Sequence, residues 1–240
     1  MRTEPEEDAE KRCGKAERGV EGTERMSGMR GQYTRPAEIE ARSMELIGKE
    51  LRGRGFHPDP STEDIVKRVI HATADFDFAE TLFFTEGAAE AMRSALLSGA
   101  SIVTDTNMAF SGISRKRLGE YGGKLYCFMG DPDVAAEAAR RSVTRATVSM
   151  ERAAALPGPL LFAVGNAPTA LERLCGLVRE GRILPAGIIA VPVGFVNVVE
   201  AKEEAMQLKG IPLICARGRK GGSTVAAAIC NALLYGIRRT

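Results

Sequence analysis

The sequence predicts a doubly wound α/β domain, a single mostly parallel sheet with helices on both faces, and three observations predict it. Six short runs of strand type are almost continuously apolar instead of alternating, which suits strands covered on both sides. Helix-length amphipathic segments separate them, so the dominant order is strand, helix, strand, helix. The 240 residues, with 44% hydrophobic and 27% charged side chains and 26 glycines, have the length and composition of a chain that folds around its own core.

Residues 1–35 carry eight acidic and eight basic side chains and almost nothing large and apolar. Such a segment cannot offset its ordering entropy. We expect a disordered charged tail over 1–35, with Met26 and Met29 as candidate natural starts, and one domain over 36–240. That domain opens with a helix over 39–51. A second helix over 63–72 follows Pro58 and Pro60, with Ser61 and Asp64 spaced like a capping box. Strands are expected over 81–84, 101–104, 124–128, 160–164, 188–191 and 213–216. The remaining helices are expected over 88–97, 134–141, 146–154, 169–179, 198–208 and 224–237.

Several function classes lose their support at this level. Lys plus Arg number 33 against 31 for Asp plus Glu, a net charge of +2, too balanced for the basic field of general nucleic-acid binding. No window approaches the roughly 18 apolar residues of a membrane span. The charged N-terminus lacks the apolar stretch of a secretion signal, so a cytoplasmic protein is expected. Five cysteines without a C-x-x-C pair, four of them inside apolar runs, read as reduced thiols. With only His57 and His71 to add, no protein-built metal site is expected. The G-x-x-x-x-G-K-[ST] phosphate loop is absent, and no G-x-G-x-x-G follows the first strand, which weakens an ATP or NAD reading.

Three of the later strands run into small or polar turns: Gly165-Asn166-Ala167-Pro168-Thr169, Pro192-Val193-Gly194-Phe195-Val196-Asn197, and Gly218-Arg219-Lys220-Gly221-Gly222-Ser223. In an open α/β sheet ligands sit outside the carboxyl ends of the strands, so these turns would share one binding rim. Arg217, Arg219 and Lys220 make the last of them either a cradle for carboxylates or phosphates or a solvated basic loop. Asp105, at the end of another strand, is by spacing alone an N-cap, a ligand contact or a charge partner. Arg68 and His71 stand three residues apart on one helix and share a face. Asp75 and Asp77 downstream either orient that imidazole or cap turns. His57 reads as exposed and inert, and Glu200 with Lys202 as a solvated pair outside any site.

With those residues collected, the chain resembles the precorrin-8X methylmutase (precorrin isomerase) family. The matching stretches are Ile39-Glu40-Ala41-Arg42-Ser43, Arg68-Val69-Ile70-His71-Ala72-Thr73-Ala74-Asp75-Phe76-Asp77, Thr104-Asp105-Thr106-Asn107-Met108, and the three turns quoted above. The resemblance implies a flavodoxin-like homodimer that binds a tetrapyrrole, precorrin-8X or cobalt-precorrin-8, near its subunit interface and needs no added cofactor. It implies transfer of a methyl group from carbon 11 to carbon 12 of ring C, yielding hydrogenobyrinate or cobyrinate in cobalamin biosynthesis. The Thr-Ala-Asp-Phe-Asp continuation after His71 is more similar to the cobalt-route branch. His71 matches the catalytic histidine, and Ser43 and Arg68 match positions of substrate contact. Asp105, Arg145, Asn166, Arg219, Lys220, Gly221 and Ser223 complete the expected substrate-binding set. A methyl shift within a conjugated ring is promoted by protonating the π-system, work suited to an imidazole. The alternative is a non-catalytic carrier of the same tetrapyrrole.

Overall fold

The computed structural model describes residues 35–237. The tail expected over 1–35 therefore lies, apart from Arg35, outside the described residues, as does Cys13. The chain divides between Ala41 and Arg42. From the first unit, residues 35–41 are described, and they open α1 (Pro36–Gly53).

The second unit is a six-stranded sheet with helices. In chain order it continues with α2 (Glu63–Thr73), α3 (Phe78–Thr81), β1 (Leu82–Phe84), α4 (Ala88–Leu97), β2 (Ser101–Thr104), α5 (Asn107–Gly112), α6 (Arg115–Gly119) and β3 (Leu125–Tyr126). There follow α7 (Pro132–Arg141), α8 (Arg145–Ala153), β4 (Leu160–Val164), α9 (Pro168–Arg179), β5 (Gly187–Ala190), α10 (Val198–Met206), β6 (Leu213–Ala216) and α11 (Ser223–Gly236). The strands stand in the order β1-β6-β5-β4-β2-β3. All neighbours are parallel except the edge pair β1 and β6.

Strand side chains alternate between two cores, which is why their sequences are apolar throughout. Ile102, Leu161, Ala163, Ile189, Val191, Ile214 and Ala216 pack with α2, α4 and α11 on one face. Val103, Leu160, Phe162, Val164, Ile188, Ala190, Leu213 and Cys215 pack with α8, α9 and α10 on the other. Cys175, Cys215 and Cys230 are buried free thiols, with burial pushing the first and last up to about 12 and Cys215 up to about 11.

Three expectations need correction. Helices α3, α5 and α6 were not anticipated; at four to six residues they are too short to display a 3.6-residue period. The third strand keeps only Leu125 and Tyr126 of the expected 124–128, because only β2 pairs with it at the sheet edge. Ser61 does not cap α2. Its N–H and hydroxyl both donate to Asp59 Oδ1, at 2.8 and 2.6 Å, in a turn just upstream. Thr62 takes the N-cap position without a side-chain bond, and Asp64 pairs with Arg93 on α4 instead.

Candidate functional site

Because β2, β4, β5 and β6 run parallel, the turns after them emerge on one edge of the sheet. The chain's winding reverses between β2, which leads outward to β3, and β4 on its other side. Such a switch point opens a crevice between diverging connections. Asp105 follows β2 directly and bridges it. One carboxylate oxygen accepts the Gly165 N–H at 2.7 Å, and the other accepts those of Asn166 at 2.9 Å and Ala167 at 2.7 Å. The side chain is 1% exposed. Burial pushes its carboxyl above the usual range, and the three N–H donors pull the other way. Both oxygens of Asp105 are spent on holding the turn after β4. Asn166, held through its backbone, has an exposed side chain.

The turn after β6 is built differently. Gly222 N–H donates to Val191 O at 2.8 Å, and Gly194 N–H donates to Arg219 O at 3.3 Å, fastening this turn to the one after β5. A Cβ on Gly221 would lie 2.2 Å from Val191 O, so only glycine fits that approach. A Cβ on Gly165 would lie 2.9 Å from Ser223 Cα, and the Ser223 hydroxyl meets that of Thr106 at 2.8 Å. The three expected turns thus meet on one rim. Arg219 lies over the Phe195 ring at 5.5 Å, within cation–π range. Phe195 is 84% exposed, with Val196 and Met108 also exposed. Apolar and cationic side chains therefore share this edge.

Lys220 carries the connection to α2. Its Nζ donates to Asp75 and to Asp77, each at 2.6 Å. The ammonium holds the Asp75 carboxyl below the usual range. These two aspartates follow the left-handed Ala74 that ends α2, so they bind Lys220 and not the imidazole of His71. Arg68 and Ala72 of α2 line a cavity of 320 Å³ with Met108, Gly112, Ser223 and Asn231. Arg68 also borders a second cavity of 540 Å³ with Met44, Asp64, Lys67 and Arg93. His71, in the last turn of α2 beside Ala72, is exposed on the single chain and lines neither cavity. Ser43 is half-buried on α1. Arg145 begins α8, exposed, with a guanidinium N–H donating to Met129 O at 3.4 Å. The rim thus joins Asp105, Asn166, Arg219, Lys220, Gly221 and Ser223, with Arg68 at its cavity.

One residue expected to be solvated is not. Lys202 of α10 is 1% exposed, and its Nζ donates to the carbonyls of Gly218 and Lys220, both at 2.8 Å. Its position four residues after Val198 and three before Ala205, both buried, is the signal that would have found it, since that spacing falls in the core-facing stripe. Glu200 is exposed as expected. Thr106, part of a matching stretch but outside the expected substrate-binding set, also caps α5 by accepting the Ala109 N–H at 3.0 Å.

Known proteins resemble this chain in sequence and fold. The family model described as precorrin-8X methylmutase matches residues 38–236. The cobalt-precorrin-8 methylmutase of Salmonella typhimurium is 44% identical over 207 residues, covering 85% of this chain and 96% of that protein. The precorrin-8X methylmutase of Pseudomonas aeruginosa is 40% identical, covering 81% of this chain and 93% of its own. The crystal structure of the precorrin-8X methylmutase from Thermus thermophilus superposes with a TM-score of 0.73 at 36% identity, covering 82% of this chain and 96% of that one. Spanning nearly the whole of these relatives and sharing their fold, the chain belongs to the precorrin-8X methylmutase family, enzymes of the isomerase class.

Proposed function

We propose that this protein moves the methyl group of carbon 11 to carbon 12 of ring C in cobalt-precorrin-8 or precorrin-8X, in cobalamin biosynthesis, as a cytoplasmic homodimer with His71 as the acid. The observation that carries this reading is the bridge from Lys220 to Asp75 and Asp77. It ties the end of the helix bearing His71 to a cationic glycine-rich turn, within a chain of this family. A flavodoxin-like subunit is supported by the order of the five parallel strands, which, numbered among themselves, run 2-1-3-4-5.

In this reading the imidazolium of His71 protonates the π-system and leaves carbon 12 electron-poor. The methyl group then migrates with its bonding pair, the bond to carbon 11 breaking as that to carbon 12 forms. The proton returns to the imidazole, so nothing is gained or lost. Positioned proton transfer of this kind contributes typically about 10² to 10⁴ in rate. Arg68, Arg219, Lys220 and Ser223 receive the substrate's carboxylates, while Phe195, Val196 and Met108 offer apolar surface to the ring. Ser43 and Arg145 fit contacts completed at the subunit interface. The exposure of His71 on a single chain fits a site closed by substrate and the second subunit.

The test is to incubate the protein with each substrate and follow the absorbance of the rearranged ring. Many turnovers per subunit are expected, faster with the cobalt form, and sedimentation should give a dimer. A spectral change that stops at one equivalent would identify a carrier and overturn the catalytic reading.

A further inference from the structure

The geometry points to Lys202 as a positioning residue that holds the backbone of the turn after β6 in its binding conformation, so that Arg219 and Lys220 are presented to the substrate's carboxylates. This rests on the reading of that turn as the anion-binding part of the methylmutase site. Lys202 approaches from α10, beneath the turn, and touches neither reacting atoms nor the open rim. Its two hydrogen bonds span the residue that stacks on Phe195, gripping the carbonyls of Gly218 and Lys220 on either side of Arg219. With those carbonyls drawn inward, the side chains between them are directed out. Arg217, Arg219 and Lys220 are all exposed.

Other restraints act on the ends and the side chains of the turn: the Arg217 N–H donates to Thr81 O at 2.8 Å, the Arg217 guanidinium lies over the Phe83 ring, and Lys220 Nζ reaches Asp75 and Asp77. Gly218 and Gly222 both lie at positive φ, 72° and 127°, so the segment contains two glycines with little intrinsic preference for one conformation. The N–H of Gly222 and the carbonyl of Arg219 are fastened to the neighbouring turn. The Lys202 ammonium fixes the two remaining carbonyls around Arg219. The cost of burying a lysine is consistent with such a task. Desolvation lowers its pKa to about 8. A methionine would fill the same volume on α10 without that cost.

The experiment compares wild type with Lys202→Met by three readouts: circular dichroism, the rate of trypsin cleavage after Arg217, Arg219 and Lys220, and steady-state kinetics with cobalt-precorrin-8. The released carbonyls can turn to water, so the variant is expected to keep the wild-type spectrum. Cleavage in the turn is expected to be at least about tenfold faster. KM is expected to rise by at least about tenfold with kcat changed by less than about threefold, a split that general loss of structure would not produce. A folded variant with cleavage and KM both within about twofold of wild type overturns the assignment, as does a lowered melting temperature with KM unchanged. Should Lys202→Met not fold, Lys202→Ala, which also removes both donated bonds from that helix position, is read against the same thresholds. Absence of turnover in the wild type would refute the methylmutase reading instead, and the trypsin readout, which needs no substrate, would still decide the role of Lys202.

Discussion

The turn after β4 and the turn after β6 lie against each other, Gly165 beside Ser223, yet they handle charge in opposite ways. In the first, an anion is buried. Asp105 sits 1% exposed with three backbone N–H groups converging on its carboxylate. In the second, a buried cation grips backbone carbonyls while other cations stand in the open. Where a charge satisfies the backbone from inside, its hydrogen-bonding capacity is used up and its work is architecture. Where the backbone is held from below, Arg219 stands out over the Phe195 ring, while Lys220 is shared with the exposed pairs to Asp75 and Asp77. A switch point is where α/β sheets place ligands, and here its deepest charged group is consumed by the protein. In the proposed reading, recognition falls to the neighbouring turn.

That division is tested most severely by His71→Ala. His71 is exposed and adds nothing to either core, so the variant should fold, assemble and bind product within about threefold of wild type. Turnover should fall by about 10² to 10⁴. Single-turnover rates and product titration measure both, and near-normal turnover would move the acid elsewhere. The opposite pattern is expected of Asp105→Ala. Leaving three N–H groups without their charged acceptor should cost about 3 kcal/mol or more, lowering the melting temperature by roughly 10 °C. Asp105→Asn, which keeps one oxygen but turns an amide NH2 toward an N–H, should lose part of that. If Asp105→Ala is as stable as wild type and weak only in substrate binding, Asp105 belongs with the recognition turn.

Much of this was legible in the residues. Continuous apolar runs such as 160–164 and 213–216 exposed the parallel sheet, because a strand buried on both faces has no polar side to show. Gly-rich turns after three strands located the rim, because close backbone approach leaves room only for glycine. What stayed hidden was pairing at a distance in sequence. Nothing local to Asp105 reveals that its partners are 60 to 62 residues away, and nothing local to Asp75 reveals Lys220, 145 residues on. Lys202 was misread for a different reason. A charged residue near another charge suggests a solvated pair, and only its place on the apolar stripe of α10 argues otherwise. His71 shows the converse limit, since its place as the expected acid comes from a resembling motif while the single chain leaves it exposed.

Lys220→Ala sharpens the comparison on the recognition side. The exposed pairs with Asp75 and Asp77 are screened by water, so the melting temperature should barely move. The substrate's carboxylates lose a partner, and KM should rise by about tenfold. The effect should shrink as salt is added, because the wild type loses the same attraction to screening. A large loss of stability with KM unchanged would make Lys220 a strut and leave Arg219 and Arg68 to bind the anion.

The smallest effect separates the two turns by pH. Burial lowers Lys202 from 10.5 to about 8, so below pH 8 it is charged in both folded and unfolded chains and contributes no slope. Between pH 8 and 10.5 the unfolded chain holds the proton more firmly, and stability rises with pH. Buried thiols act in the other direction. Cys215, raised from 9.0 to about 11, stays protonated in the fold after the unfolded chain has lost its proton, so stability falls as pH rises through 9. Between pH 7.5 and 9 the buried thiols of Cys175, Cys215 and Cys230 oppose Lys202 by a similar amount, but they are common to wild type and Lys202→Met and cancel in the comparison. Across that window, wild type should gain about 1 kcal/mol relative to Lys202→Met, or roughly 2 to 4 °C in melting temperature. Parallel denaturation curves at the two pH values measure this double difference. Identical pH responses in the two proteins would mean that the amine below the turn is solvated, and the contrast between a held backbone and free side chains would lose its physical basis.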